Sequence, residues 1–230
     1  MLDQYLQNAF ACLALYLTAG SFFYARYSNK CSTETVKTQI IHSVSAIPVY
    51  ALLPTASDWF IQNGWTRAYT NAPSVFLYFA HVALYLTSVE LGVYVMHRFL
   101  HENKFLYKHL HSAHHKYRTV STLSPFASLA FHPVDGMLQG LPYFLTLFLV
   151  PIHVWTFKIL LFSSGLWSCY IHSVTSNPHW LILGAGHHTI HHTHFKYNYG
   201  HYTTIFDRLL KTLQSPVIIP PPSPPPVRAP

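Results

Sequence analysis

The sequence predicts an all-α, multi-pass membrane protein with four or five transmembrane helices and a histidine-rich, two-metal cap on the cytosolic side. Composition is the first observation: 50% of the 230 residues are hydrophobic, 9% are charged, and seven acidic residues are too few to cover a soluble surface of this size. Several apolar runs about as long as a spanning helix are the second. The third is a set of three histidine groups that follow such runs.

Residues 1–38 are predicted to be a membrane anchor followed by a basic loop. The run Leu6–Ala25 carries no charged residue, has about the length that a spanning helix needs, and is followed by Arg26 and Lys30. No basic segment precedes the run, which favours an anchor over a cleaved signal peptide. At the other end, residues 216–230 are proline-rich and are predicted to be an extended, unfolded tail.

Residues 39–215 are predicted to form the catalytic domain, which holds the remaining apolar runs. Ile40–Leu53 is interrupted by proline and is expected to be a short or re-entrant span. Ser74–Met96 is long enough to cross the bilayer and leads directly into the first histidine pair. Leu129–Val150 and Trp155–Tyr170 are expected to form a helical hairpin.

Basic residues indicate the orientation of these spans. Residues 26–38, 97–128 and 173–230 fall on one side of the membrane and carry three, five and four of the 14 Lys and Arg residues. By the positive-inside rule that side is the cytosol. The formal charge of +7 is therefore explained by topology, and nucleic acid is not expected as a partner. All three histidine groups share the cytosolic side.

The histidine groups have the spacings HxxxH, HxxHH and HxxHH. Residues three and four apart share one face of a helix, so each triplet is expected to aim its imidazoles at one point. His172 joins the set because it ends a span on the same side. The predicted metal ligands are His97, His101, His111, His114, His115, His172, His188, His191 and His192. One ion cannot accept so many imidazoles, so two metals are expected; Zn, Cu, Fe and Ni all suit imidazole.

Other histidines are weighed separately. His132, His187 and His109 could each be a ligand, a support for a ligand, or a bystander. His81 and His153 lie alone in apolar stretches, where a hydrogen-bonded structural histidine is the usual case.

Glu90 is an acidic residue inside the predicted apolar span Ser74–Met96, and it is the predicted catalytic residue. It precedes His97 and His101 by 7 and 11 residues, which places it on nearly the same helix face, roughly 10 to 16 Å below the ligands. We predict a hydrogen bond to substrate, or to a histidine or water near the metals. The alternative is a protonated carboxyl bonded to a neighbouring helix.

The segments HRFLH, HSAHH and HHTIHH resemble the three histidine boxes of the fatty acid hydroxylase and sterol desaturase superfamily, which are membrane-bound di-iron enzymes of the endoplasmic reticulum. Within it, TLSPFASLAFHPVDGMLQGLPY at 122–143 and GAGHHTIHHTHFKYNYGHYTTIFDRL at 184–209 most resemble the sterol C5-desaturases, with the plant type nearest. Three positions depart from that pattern: Ser173 stands where Asp is common, Phe206 where Trp is common, and Lys211 near a common Gly.

The resemblance implies an oxidoreductase that uses two non-haem iron ions and molecular oxygen to introduce the C5–C6 double bond into a Δ7-sterol. An unactivated ring carbon needs such an oxidant, because side chains alone cannot supply one. It also implies an endoplasmic reticulum location, a sterol substrate in the bilayer, and electrons from cytochrome b5 and NADH-cytochrome b5 reductase. No dinucleotide or haem-attachment motif is present in the sequence. A basic loop could steer an acidic partner or could only set topology; its residues are Lys104, Lys108, Lys116 and Arg118.

Three alternatives remain open. A sterol C4-methyl oxidase or a lipid hydroxylase would use the same histidine boxes. A divalent-metal transporter would place its ligands near the bilayer midplane rather than beyond the ends of spans. An inactive membrane scaffold is favoured by Ser173 and Phe206, whereas the intact histidine boxes argue against it.

Overall fold

A computed structural model describes residues 1–27, 31–71, 73–119, 121–173 and 180–216. The predicted unfolded tail lies outside the described residues except for Pro216. The helices of the described part are α1 (Leu2–Tyr27), α2 (Thr33–Tyr50), α3 (Leu52–Gln62), α4 (Val75–Glu102), α5 (Lys104–His109), α6 (Pro133–Leu149), α7 (Val154–Ile171), α8 (Ala185–His194) and α9 (Ile205–Leu209). The described part also contains two 3₁₀ helices, His111–Lys116 and Pro125–Leu129. It has two short strands, β1 (Ala68–Tyr69) and β2 (Ile152–His153).

Four of these helical segments are long and apolar enough to cross a membrane: α1, the joined α2 and α3, α4, and α7. Helix α6 has 17 residues and packs beside α4, so the apolar bundle contains five helical segments. The prediction of an all-α protein with four or five spans is confirmed.

The second span differs from its prediction. Instead of a short or re-entrant segment, Thr33–Gln62 forms a 30-residue span in which α2 passes directly into α3 at Ala51. Pro54 lies in the first turn of α3, where a missing backbone N–H disturbs little. The polar residues that follow are buried with partners: Ser57 donates to the Leu53 carbonyl, and Asp58 lies 2.7 Å from Lys158 of α7. The span therefore continues past Leu53 to Gln62, and the predicted end at Leu53 is wrong.

The predicted hairpin is confirmed as α6 and α7, which are joined by β2. This strand pairs in parallel with β1, so the turn of the hairpin is tied to the loop that follows α3. His153 lies 2.8 Å from the Thr70 carbonyl, and His81 lies 3.3 Å from the Tyr69 hydroxyl. Both lone histidines therefore have structural partners at the end of the bundle away from the histidine boxes.

Helix α4 is the helix that carries the site. Its residues Tyr85, Val89 and Val93 are buried against α6 in the main apolar cluster. The two helices approach closely at Gly92, where a Cβ would lie 2.7 Å from the Cβ of Pro142. This packing fixes the C-terminal end of α4, from which the first histidine pair projects into the cap.

Candidate metal centre

The structure brings all nine predicted ligands together in two groups, within each of which the ring nitrogens lie within 4.8 Å of one another. The first group is His97, His101, His111, His115 and His191. The second group is His114, His172, His188 and His192. The first group comes from helices α4 and α8 and from the 3₁₀ helix His111–Lys116. The second group comes from the same 3₁₀ helix and from α8, together with His172, which directly follows the last residue of α7.

Each HxxHH triplet is divided between the two groups, which corrects the prediction that a triplet aims at one point. The members four residues apart stay together, as His188 and His192 do, with their Nε2 atoms 3.1 Å apart. Adjacent residues diverge by about 100° around a helix axis. Accordingly, the rings of His191 and His192 are perpendicular, with 5.8 Å between their centroids. One triplet can therefore serve two neighbouring ions.

The first group converges on His101, whose Nε2 lies 2.9 Å from that of His111 and 3.1 Å from those of His115 and His191. A ring nitrogen has either one hydrogen or one lone pair, so it cannot form three hydrogen bonds of this kind. Imidazoles bound to one ion at about 2.1 Å hold neighbouring nitrogens about 3 Å apart. The observed spacing thus fits a set of metal ligands.

The ring nitrogens of the second group are also spaced like a set of metal ligands. The Nε2 atom of His172 lies 3.1 Å from that of His188 and 3.3 Å from that of His114. All four histidines are buried. Burial lowers the pKa of His172 to about 4, and burial with neighbouring histidines lowers the pKa of His188 and His192 well below the usual value. These rings are therefore neutral at physiological pH, as metal binding requires.

Contacts on the opposite ring nitrogen orient several of these histidines. Nδ1 of His97 donates to the Tyr199 carbonyl at 3.0 Å, that of His191 to the Tyr197 carbonyl at 2.8 Å, and that of His172 to the Ser168 carbonyl at 2.7 Å. A proton held on Nδ1 leaves the Nε2 lone pair free to face a metal.

Asp135 gives His111 a carboxylate partner and was missed in the sequence. Its Oδ2 lies 2.8 Å from Nδ1 of His111, and both side chains are fully buried. The available signal was an acidic residue within the FHPVDG segment, which opens α6. The position where a carboxylate is common after His172 holds Ser173, which donates to the Tyr170 carbonyl. A carboxylate, Asp135, therefore supports a predicted ligand, but that ligand is His111 rather than His172.

A second carboxylate, Asp207, holds the loop that follows α8. It accepts hydrogen bonds from the backbone N–H groups of Tyr199 at 2.9 Å and Gly200 at 2.8 Å. Burial raises the pKa of Asp207, while the hydrogen bonds that it accepts act in the opposite direction. Because the Tyr199 carbonyl accepts from His97, Asp207 supports the position of that ring.

Glu90 binds the next part of the same loop. Its oxygens accept hydrogen bonds from the backbone N–H groups of His201, Tyr202 and Thr203 at 2.8–3.3 Å and from the Thr203 hydroxyl at 3.1 Å. The side chain is buried and belongs to neither histidine group. Glu90 and Asp207 together therefore hold five consecutive backbone N–H groups beside the metal centre.

The three undecided histidines lie outside both groups. His132 caps the N-terminus of α6 through its Nδ1, which accepts from the Val134 N–H at 3.2 Å. His109 is exposed and packs on Phe105. His187 is buried, and its carbonyl accepts from Asn198. None of them is placed as a ligand.

The two other departures from the resemblance have visible surroundings. Phe206 packs near Tyr94 of α4, with 6.3 Å between ring centroids. Lys211 has a φ of 59°, the left-handed conformation that glycine adopts without strain. This conformation explains why glycine suits the region. Neither residue belongs to either histidine group.

Two adjoining cavities lie below the histidines. The first, of about 140 Å³, is lined by both groups and by α6 and α7. The second, also about 140 Å³, is largely apolar and lies between α1, α2, α3, α6 and α7. The cavities share Leu129, Phe131, Gly136, Gly140, Ser164 and Gly165. An elongated apolar molecule could therefore reach the histidines from among the spans.

Comparison with known proteins agrees with this arrangement. The family model described as fatty acid hydroxylase matches residues 82–212. The chain is 43% identical to the putative Delta(7)-sterol-C5(6)-desaturase 2 of Arabidopsis thaliana, over 94% of this chain and 82% of that protein. It is 40% identical to the Delta(7)-sterol-C5(6)-desaturase of Nicotiana tabacum, over 94% of this chain and 85% of that protein. A Delta(7)-sterol 5(6)-desaturase of Schizosaccharomyces pombe is 34% identical, over 90% and 71%. No solved structure matches the chain.

Proposed function

The chain belongs to the fatty acid hydroxylase family, and we propose that it is a membrane-bound di-iron oxidase that introduces the C5–C6 double bond into Δ7-sterols. The single observation that carries this proposal is the pair of buried all-histidine groups above an apolar cavity that reaches among the spans. Relatives named Delta(7)-sterol-C5(6)-desaturase, at 40–43% identity over 94% of the chain, support the choice of substrate.

The two groups would each hold one iron ion. Five imidazoles would bind the first ion and four the second, with Asp135 holding His111 and backbone carbonyls holding three other rings. When bound, the iron pair supplies the oxidation of an unactivated C–H bond by molecular oxygen. The protein supplies neutral nitrogen ligands, burial from water, and a fixed position for the sterol rings.

The sterol would enter from the bilayer. The second cavity is lined mainly by apolar side chains of α1, α3, α6 and α7, and its walls pass into the first cavity at Gly136 and Gly140. A ring system extended along both cavities would bring C5 and C6 below the histidines and leave the apolar tail of the sterol among the spans. This fit favours a sterol over a soluble substrate.

Electrons would come from cytochrome b5 and its NADH-dependent reductase in the endoplasmic reticulum membrane, with the cap facing the cytosol. His101, the only half-buried member of the two groups among the described residues, lines a cavity together with Lys196 and Tyr107 and with Arg98, which is paired with Glu102 at 2.7 Å. Lys104 and the other basic residues of the neighbouring loop are exposed. A basic surface beside the least buried ligand suits an acidic electron carrier.

Reversing two of these charges tests the docking surface. We expect Lys104→Glu with Lys108→Glu to slow turnover with cytochrome b5 at low salt, because steering raises association rates by about 10-fold or more. Turnover with saturating chemical reductant should be unchanged. Arg118 is left intact, since it donates to the His115 carbonyl. The matched control is Lys37→Glu, an exposed basic residue on another segment. Equal salt dependence in all three proteins would leave these charges with a topological role alone.

Glu90 is proposed to act on the site through the loop that it binds, and a direct substrate contact remains a prediction. We expect Glu90→Gln to lower turnover about 10-fold or more, because an amide cannot accept all the N–H groups that the carboxylate accepts. Rate, substrate affinity and iron content should be measured together. If Glu90→Gln changes none of them and Glu90→Leu only lowers expression, the residue has no role in the reaction.

The function is tested by expressing the chain in cells that lack sterol C5-desaturation. We expect Δ5,7-sterols to appear and Δ7-sterols to decline. A change in 4-methyl sterols without new Δ5,7-sterols would favour a C4-methyl oxidase, and new hydroxylated lipids would favour a hydroxylase. Metal uptake without any lipid change would favour a transporter.

A further inference from the structure

The polar groups that line the cavity below the metal centre differ in whether they have partners. Most of them bond within the protein: the Tyr143 hydroxyl lies 2.6 Å from that of Tyr202, and the Ser168 hydroxyl donates to the Ser128 carbonyl at 3.2 Å. The ring of His201 also lines the cavity, but its Nε2 atom is buried and has no hydrogen-bond partner among the described residues. Burying such an atom without a partner is unfavourable unless a ligand satisfies it.

His201 is held rigidly by its backbone. Its N–H donates to Glu90 at 3.3 Å, and its carbonyl accepts from Nε1 of Trp167 at 2.7 Å. The two contacts come from different helices, α4 and α7, and fix the backbone of His201, while its ring packs against that of Tyr202 with 4.4 Å between the centroids. The unpaired nitrogen is therefore a fixed feature of the wall.

The ring is not part of the metal centre, because neither histidine group includes it. Burial lowers the pKa of His201 to about 4, so the imidazole is neutral at physiological pH. A neutral imidazole has one donor nitrogen and one acceptor nitrogen. A hydroxyl group, which can both donate and accept, pairs with either tautomer.

We propose that Nε2 of His201 binds the 3-hydroxyl of the sterol and so sets which ring carbons face the metals. This inference rests on the proposed function. The 3-hydroxyl is carried by ring A, which shares C5 with the ring that is oxidised, so its partner has to line the same cavity as the metal ligands. His201 meets that requirement together with His97, His114, His172 and His188.

Gln139 is the rival partner, since it also lines this cavity and its side-chain amide has no hydrogen bond within the described residues. It is half-buried, whereas Nε2 of His201 is fully buried. Water can satisfy a partly exposed amide, so an unpaired state is less costly for Gln139. Because Gln139 and His201 line the same cavity, Gln139→Leu is the matched variant for the test.

The experiment compares a 3β-hydroxy Δ7-sterol with its 3-deoxy analogue, using iron-loaded protein in lipid vesicles and measuring both equilibrium binding and kcat/KM. Wild-type protein should favour the hydroxy sterol. His201→Phe, which keeps an aromatic ring, should lower kcat/KM for the hydroxy sterol about 10- to 100-fold and change that for the analogue about twofold or less. His201→Gln, which keeps a polar group, should restore part of the preference, and Gln139→Leu should keep it.

Several results would overturn the assignment. A loss of iron in His201→Phe would make the ring part of the metal centre, and equal losses for both sterols would make it structural. Loss of the preference in Gln139→Leu alone would move the contact to Gln139. If His201→Phe fails to insert into the membrane, the wild-type protein alone provides the test. Equal binding of both sterols by the wild-type protein would refute the assignment to His201. No turnover of either sterol by the wild-type protein would refute the proposed function itself.

Discussion

Replacing His191 by alanine should remove one of two bound iron ions and abolish sterol turnover, and replacing His114 should remove the other. The two residues come from different HxxHH triplets and lie in different groups. Each substitution opens a coordination position at one ion while leaving the other group complete. Because a single supporting partner of a ligand already affects metal affinity by about 10- to 100-fold, loss of a ligand should lower turnover by at least about 100-fold.

The measurement is iron per protein, by elemental analysis of purified and iron-saturated samples, alongside turnover. His109→Ala is the matched control, because His109 is exposed and belongs to neither group. The control should keep two ions and full activity. Two ions retained in both His114→Ala and His191→Ala would remove these residues from the ligand set, whereas loss of both ions in each variant would show that the two groups bind metal only together.

Replacing Asp135 by asparagine is expected to have the second largest effect. The carboxylate lies 2.8 Å from Nδ1 of His111, and both groups are shielded from water. It holds the proton on Nδ1 and thereby keeps the Nε2 lone pair of His111 directed into the first group. An amide has no charge and can present N–H instead of oxygen, so the preferred tautomer is lost. We expect affinity for the first iron and turnover to fall about 10- to 100-fold.

Iron titration of the purified variant, with turnover measured at saturating iron, separates weaker binding from a slower reaction. Asp3→Asn is a suitable control, because Asp3 is exposed in the first turn of α1. It should behave as the wild-type protein does. An Asp135→Asn variant with unchanged iron affinity and unchanged turnover would mean that the contact with His111 has no effect on the metal centre.

Much of the architecture follows from local patterns in the sequence. Apolar runs of spanning length located α1, α4 and the hairpin of α6 and α7, because the bilayer demands long apolar helices. The second span was predicted too short because proline was taken to interrupt it, whereas the helix continues through Pro54 to Gln62. Asp58 is in fact buried beside Lys158, a pairing between residues that are distant in sequence. Such a contact leaves no periodic signal.

For the histidine site, too, local patterns predicted the residues but not their arrangement. Spacing and chain order predicted that nine histidines lie together beyond the ends of the spans, but they could not divide those histidines between two groups. That division depends on the angle between adjacent residues such as His191 and His192 and on the arrangement of three helical segments. The supporting residues were missed because each contact, such as Asp135 to His111 or Asp207 to the Tyr199 N–H, joins segments whose relation is set by tertiary packing.

We propose that this two-group histidine centre oxidises C5 and C6 of a sterol held among the spans. The most direct test is mass analysis of the product formed from a Δ7-sterol labelled with one deuterium at C5 and two at C6, using purified iron-loaded protein, oxygen, cytochrome b5 and its reductase in vesicles. We expect a Δ5,7-sterol that has lost one deuterium from each labelled carbon. A product that keeps both labels and carries new oxygen at a methyl or chain carbon would contradict it.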